Sequence, residues 1–363
     1  MSWHCPLPYI SMSSQPQGYY GLCCESDVSQ HHCTEMTLSE FQNSDYMKTV
    51  REGFKLEDPL SVPEIYKACY QCKFKEDQGG FSKRQRELTY ERYQKNFIEF
   101  KLIGNICNYA CLMCHPLSSS KIAEERGVDL PKYFNLSDEW YDDLKEVSKD
   151  YSYYKFSGGE PFMSPTTNKI INALIETGRA DEIKLQFNTN GSASKKVIQK
   201  LLDNFMDINI CFSIDAWGER NSLIRKHSTW EFTEDRLWDY STLLHNNKNL
   251  SLNVHPCVSI LNIGYLYEFG PYIKQFHANK RFHFSVSNTL AYPYHYNPAY
   301  MPYDIKQTYL EKNYDFLMSD ECLKPESTIG ILKADNVDMR HFREGIHKIP
   351  YYEKWYPEFV KYA

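Results

Sequence analysis

No stretch of the 363 residues approaches the ~18 consecutive apolar residues that crossing a bilayer takes. The start, Met1-Ser2-Trp3-His4-Cys5-Pro6, has no basic region and no apolar region of a secretory signal. Positive charge is in short supply: 41 Lys and Arg against 47 Asp and Glu leave a formal net charge of −6. That argues against a sequence-independent grip on nucleic acid, which needs a cationic face. Neither an internal repeat nor a low-complexity tract is present. With 42% hydrophobic and 24% charged residues, the balance is globular and not disordered. The expectation is a cytoplasmic protein in a reducing setting, with no membrane and no nucleic acid among its partners.

Cysteine is what the chain has in excess. Twelve are present, at positions 5, 23, 24, 33, 69, 72, 107, 111, 114, 211, 257 and 322, and nine fall in the first third. In a reducing compartment such clustering points to metal or redox chemistry in place of disulfides. At roughly 150 residues per domain the length suggests about two domains. The cysteine asymmetry divides them into a Cys-rich module over residues 1–95, a main body over 96–290, and a C-terminal loop, helix and tail over 291–363. Residues 76–95 read as a connection with Gly79-Gly80 near its start, followed by a polar helix. Lys83, Arg84 and Arg86 read there as a solvated helix face, with an anion site as the alternative.

From residue 96 onward the pattern alternates. Strands are expected over 96–103, 153–157, 182–187, 208–214, 250–258 and 281–286. Helices are expected over 137–149, 166–177, 194–205, 232–245, 265–276 and 304–318, the first with Ser137 as its N-cap. Six strands with helices between them imply right-handed crossovers and a parallel sheet. The fold class is therefore α/β, either a partial (β/α)6 barrel or an open doubly wound sheet. Ligands belong at the carboxyl ends of the strands in both.

The chemistry-bearing motifs lie at those ends. Residues 107–114 read Cys-Asn-Tyr-Ala-Cys-Leu-Met-Cys, a C-x3-C-x2-C triplet after the first strand. Cys107, Cys111 and Cys114 could bind three irons of a cubane cluster, or with His115 close a zinc site. The second strand ends in Ser157-Gly158-Gly159-Glu160-Pro161, where two glycines allow close backbone approach and Glu160 offers a carboxylate to an ammonium group. The third ends in Asn188-Thr189-Asn190-Gly191 and the fourth in Ser213-Ile214-Asp215-Ala216, small polar residues on the same rim.

This combination over about residues 97–290 resembles the radical S-adenosylmethionine (radical SAM) superfamily. The resemblance implies a partial (β/α)6 barrel in which Cys107, Cys111 and Cys114 hold a [4Fe–4S] cluster whose fourth iron is chelated by SAM. Reductive cleavage of SAM would then give a 5′-deoxyadenosyl radical that abstracts a substrate hydrogen. It further implies Gly158, Gly159 and Glu160 at the methionyl amino group, Asn190, Ser213 and Asp215 at the ribose, Arg225 at the methionyl carboxylate and Met113 beside the adenine.

Upstream, Cys5 is followed by twelve residues, Gly18, four residues and Cys23, and later by Cys69-Tyr70-Gln71-Cys72. The C-x12-G-x4-C element with a following C-x2-C resembles the auxiliary-cluster modules called SPASM and twitch, placed here before the core. The resemblance implies an auxiliary [4Fe–4S] cluster on Cys5, Cys23, Cys69 and Cys72, with Cys24 competing for the second place. A zinc knot is the alternative. His31, His32 and Cys33 read as loop residues, and Cys211 and Cys257 as buried strand thiols that could face the barrel lumen as hydrogen donors. Oxidation or cross-linking of a peptide or small molecule is the expected reaction, with a reductant such as flavodoxin or ferredoxin as partner. Redox-neutral epimerisation and a non-catalytic iron–sulfur or zinc protein are the alternatives.

Overall fold

Strand side chains alternate between two faces, so a strand with apolar residues at every second position buries one face and leaves the other polar. The computed structural model describes residues 3–27, 29–77, 82–89, 96–101, 104–276, 281–335 and 338–363. The chain forms two compact units, one of residues 1–107, 116–188 and 201–208, the other of residues 108–115, 189–200 and 209–363.

The first unit holds β1 (Ser11–Ser14), β2 (Tyr20–Gly21), β3 (Phe97–Phe100), β4 (Tyr153–Phe156) and β5 (Lys184–Thr189), in the order β2-β1-β3-β4-β5. β1 pairs parallel with β3, β3 with β4 and β4 with β5, while β2 returns antiparallel on β1. One sheet face carries Phe100, Phe156 and Phe187, all buried, with Phe156 and Phe187 stacked at 4.9 Å. Helix Asp138–Val147 turns Trp140, Leu144 and Val147 inward. Its expected cap is present, since the Ser137 side chain accepts from Trp140 N at 3.2 Å. Helix Pro165–Glu176 buries Ile170, Ile171 and Leu174.

The second unit contains most of β6 (Asp207–Phe212), then β7 (Leu250–Val254) and β8 (Phe282–Phe284), the last two paired parallel. Phe212, Val254 and Phe284 lie on a buried face, where Phe212 meets Tyr240 and Phe284 meets Phe269 and Phe316 of the flanking helices. The other face is half-buried and polar: Asn209, Cys211, Asn253 and His283. Cys211 therefore stands on a polar face and not in the apolar core.

The α/β class and all six expected strands are present. Several strands end earlier than expected, two of them beside site residues. β6 stops at Phe212 and β7 at Val254, so Ser213, Asp215 and Cys257 follow strand ends on loops. The cause is local: beyond these points backbone groups are taken by side chains, Asp215 N by Asn221 Oδ1 and Cys257 N by Asp215 Oδ1. β1 and β2 were not expected, because Ser-Met-Ser-Ser has little intrinsic strand propensity and is recruited by pairing with β3. The region expected as a tail holds helices Glu326–Lys333 and Arg340–Ile346. Gly79-Gly80, residues 90–95 of the expected polar helix, and Leu102-Ile103 at the end of the first expected strand lie outside the described residues. Among the described residues no helix is long and apolar enough to cross a membrane.

Candidate cluster and cofactor sites

The C-x3-C-x2-C loop is fixed by its backbone on several sides. In the first unit, Ser120 Oγ bridges the Cys107 N–H and C=O, at 3.1 Å each. In the second, Ala110 N donates to Lys226 O and Leu112 N to Ile224 O, which hangs the loop on the end of helix Glu219–Ile224. Cys107, Cys111, Cys114 and Met113 are half-buried. Arg225, the C-cap of that helix, brings Nη1 to 3.9 Å from Cys111 Sγ.

Gly158 and Gly159 have distinct reasons to be glycine. Gly158 has φ +126°, which L side chains rarely adopt. A Cβ on Gly159 would lie 2.2 Å from the carbonyl oxygen of Ile106, the residue before Cys107. The motif thus packs on the residue before Cys107, and Glu160 N donates to the same carbonyl at 2.8 Å. Glu160 is fully buried, with Oε1 accepting from Phe162 N at 3.2 Å. This contact beside Cys107 fits the residue set the cluster and SAM would need.

Asn190 is buried, and its Nδ2 donates to Asn108 Oδ1 at 2.8 Å, inside the cysteine motif. Ser213 is half-buried, with its N–H on Thr189 O at 2.7 Å. Asp215 also follows β6. It is 0% exposed and spent on the chain itself: Oδ1 accepts from Cys257 N at 2.8 Å, and Oδ2 lies 2.9 Å from Arg225 Nε. A carboxylate so enclosed positions Arg225 and the Cys257 loop. The pair also occupies the Nε edge of Arg225, leaving its Nη side toward the cysteine loop. Burial, with Asp215 beside it, pushes the Cys257 thiol well up.

Two asparagines were missed by sequence reasoning. Asn221, fully buried, accepts from Asp215 N and Ala216 N, at 3.1 and 3.4 Å. Asn262 donates to Asp215 O and Cys257 O, both at 3.0 Å. Their type and spacing carry no signal; only burial reveals them.

In the first unit the four upstream cysteines come together. Cys5, Cys23, Cys69 and Cys72 line one cavity. The spacing now has a mechanical cause. From Cys5 the chain runs through a short helix and β1, turns at Gly18, and returns along β2 to Cys23. Gly18 has φ +87°, and a Cβ there would strike the His32 ring at 2.3 Å. Cys69 and Cys72 stand three apart on helix Pro63–Asp77, hence on one face. Burial pushes the Cys5 thiol up to about 12 and raises those of Cys23 and Cys69 as well.

Cys24 is not part of that lining. Its Sγ accepts from Lys83 Nζ at 2.9 Å. Lys83 is 5% exposed and lies 3.9 Å from both Glu87 and Glu99, and Lys155 sits 3.2 Å from Glu99. The expected solvated face is therefore corrected at Lys83, which points into a buried ionic network. Burial alone would raise the Glu99 carboxyl, but Lys155 and Lys83 more than offset it and hold it at about 2. Cys33 is buried away from the cavity. Among the described residues no group of three or more His, Cys, Asp or Glu closes around a point as a single metal ion requires. A cluster, whose thiolates bind different irons, does not require it.

Residues 102–238 match the radical SAM superfamily. No curated protein matches the chain. Similar solved structures include native anSMEcpe with bound AdoMet, at 17% identity and TM-score 0.46, covering 61% of this chain and 60% of that one. Streptococcus suis SuiB bound to S-adenosylmethionine is similar at 13% identity and TM-score 0.40, covering 74% and 63%. SuiB bound to precursor peptide SuiA follows at 13% and TM-score 0.39, covering 82% and 71%. The chain thus spans 60% and 63% of the length of the first two.

Proposed function

We propose, from the premise that residues 102–238 carry a radical SAM domain, that the chain is a two-cluster oxidising enzyme. Cys107, Cys111 and Cys114 would hold the SAM cluster, and Cys5, Cys23, Cys69 and Cys72 an auxiliary one. The chemistry these groups supply when bound is one electron into the SAM sulfonium, hydrogen abstraction by the resulting carbon radical, and a place for the electron the substrate radical then gives up. The observation that carries the reading is the cavity lined by four cysteines drawn from a hairpin and a helix.

The chain's own residues have separable tasks. Gly159 lets the Gly158-Gly159-Glu160 turn sit against Ile106, the residue before Cys107. Arg225 places a half-buried positive charge beside Cys111, where it offsets thiolate charge and can meet the methionyl carboxylate. Asn190 braces the cysteine motif through Asn108. The polar face of β6 to β8 suits a substrate with hydrogen-bonding groups, a peptide or a small polar molecule.

Anaerobic reconstitution tests this. About eight iron per chain and 5′-deoxyadenosine formed with SAM and dithionite are expected. The double variant Cys69→Ala/Cys72→Ala should hold about four iron, still release 5′-deoxyadenosine, and form no oxidised product. Zinc at the upstream site, or full iron without 5′-deoxyadenosine, would sink the reading. Epimerisation is favoured by one observation, the Cys211 thiol on the polar face beside Asn209. Deuterium from solvent in an otherwise unchanged product would establish it instead.

A further inference from the structure

A buried ammonium beside a cavity lined by four thiols has a consequence for any group those thiols hold. Lys83 lines the same cavity as Cys5, Cys23, Cys69 and Cys72, yet it is 5% exposed and out of reach of bulk counterions. Its neighbours hold it on the cavity wall. Cys24 Sγ accepts from its Nζ at 2.9 Å. Glu87 and Glu99 stand off at 3.9 Å, and Glu99 is shared with Lys155 at 3.2 Å. Arg84, the other cation on the wall, differs: it is held at 2.7 Å by Glu76 and by His4 O.

A cubane with four thiolates is an anion in both redox states and gains one more negative charge on reduction. A fixed positive charge nearby stabilises the reduced form more than the oxidised one, and weak screening in a buried site enlarges the difference. We propose that Lys83 sets the reduction potential of the cluster held by Cys5, Cys23, Cys69 and Cys72, raising it so that the cluster can take an electron from the substrate radical. The proposal rests on the auxiliary-cluster reading above. It assigns Lys83 a positioning role for charge, with no contact to substrate. Glu87, four residues on along helix Lys83–Thr89 and equally buried, acts in the opposite sense.

The test is a potentiometric titration of the fully reconstituted protein followed by EPR. The auxiliary signal is the one that added SAM leaves unchanged. At a fixed potential, Lys83→Met should lower the reduced-to-oxidised ratio of that cluster about tenfold, a fall of about 59 mV for a one-electron couple. Lys83→Arg, which keeps the charge, should stay close to the parent. Glu87→Gln should move the ratio upward. A merely structural role for Lys83 would not give shifts of opposite sign. Full iron in Lys83→Met with the ratio unchanged within about twofold overturns the inference. Should Lys83→Met fail to load iron, Glu87→Gln decides, and an unchanged ratio there overturns it equally. Parent protein with only about four iron would instead remove the auxiliary cluster itself.

Discussion

Asp215 and Glu160 are both fully buried carboxylates at strand ends, and they do different things. The Gly-Gly-Glu turn was legible because two adjacent glycines before a carboxylate restrict what the backbone there can be for. Asp215 follows a strand end as plainly, yet what its side chain faces depends on Arg225 and on the Cys257 loop, which follow it by 10 and 42 residues. Sequence order carries no record of such a commitment. Asp215→Asn keeps the shape and leaves the Arg225 charge buried without its partner, which costs roughly 3–5 kcal/mol for a pair of this kind. Denaturant midpoints of the SAM-free protein should therefore fall. A ribose contact would instead leave that midpoint unchanged and weaken SAM binding alone, so an unmoved midpoint would assign Asp215 to the ribose.

Among the elements, those with strong periodicity were read correctly and those held by partners were not. Helix Pro165–Glu176 shows its apolar face in its own sequence. Helix Glu219–Ile224, six residues long, does not, and it is the element on which the cysteine loop hangs. Its far end is clamped by the C-terminal segment. The Arg220 guanidinium lies 3.4 Å from the Tyr265 ring centroid and 5.1 Å from that of Tyr356, and its Nη1 donates to Trp355 O at 3.2 Å. Tyr265 in turn bonds Trp355 O and Glu358. The segment after residue 350, which carried no functional signal, thereby braces the loop that carries Cys111 and Cys114. Arg220→Ala should loosen that brace. Iron per chain should drop from about eight toward four, lost from the SAM cluster, while the upstream site keeps its iron. Arg220→Lys should not restore it, because a lysine lacks the flat fork that both stacks on a ring and bonds a carbonyl. Full iron and unaltered SAM-dependent EPR in Arg220→Ala would show the clamp to be ornamental.

For the molecule as a whole, cysteine distribution drew a boundary at residue 95, and the sheet runs across it. β1 is the parallel neighbour of β3, with Ser11 opposite Phe97 through Ser14 opposite Phe100. The upstream cysteines carry a signal because thiols at fixed spacing have few other uses. The strand between Cys5 and Cys23 reveals nothing, because four small or flexible residues pair only once a partner strand is there. A site can thus be read as a module while its backbone belongs to a larger sheet. The consequence is physical. Removing residues 1–95 would strip β3 of a neighbour, exposing a row of unpaired N–H and C=O groups beside the buried Phe97, Ile98 and Phe100. Residues 96–363 should then aggregate on expression or elute as large assemblies in size-exclusion chromatography, even with iron supplied. A soluble, monomeric 96–363 fragment holding about four iron would show instead that the upstream segment is a separable module and that β1 only leans on the sheet it joins.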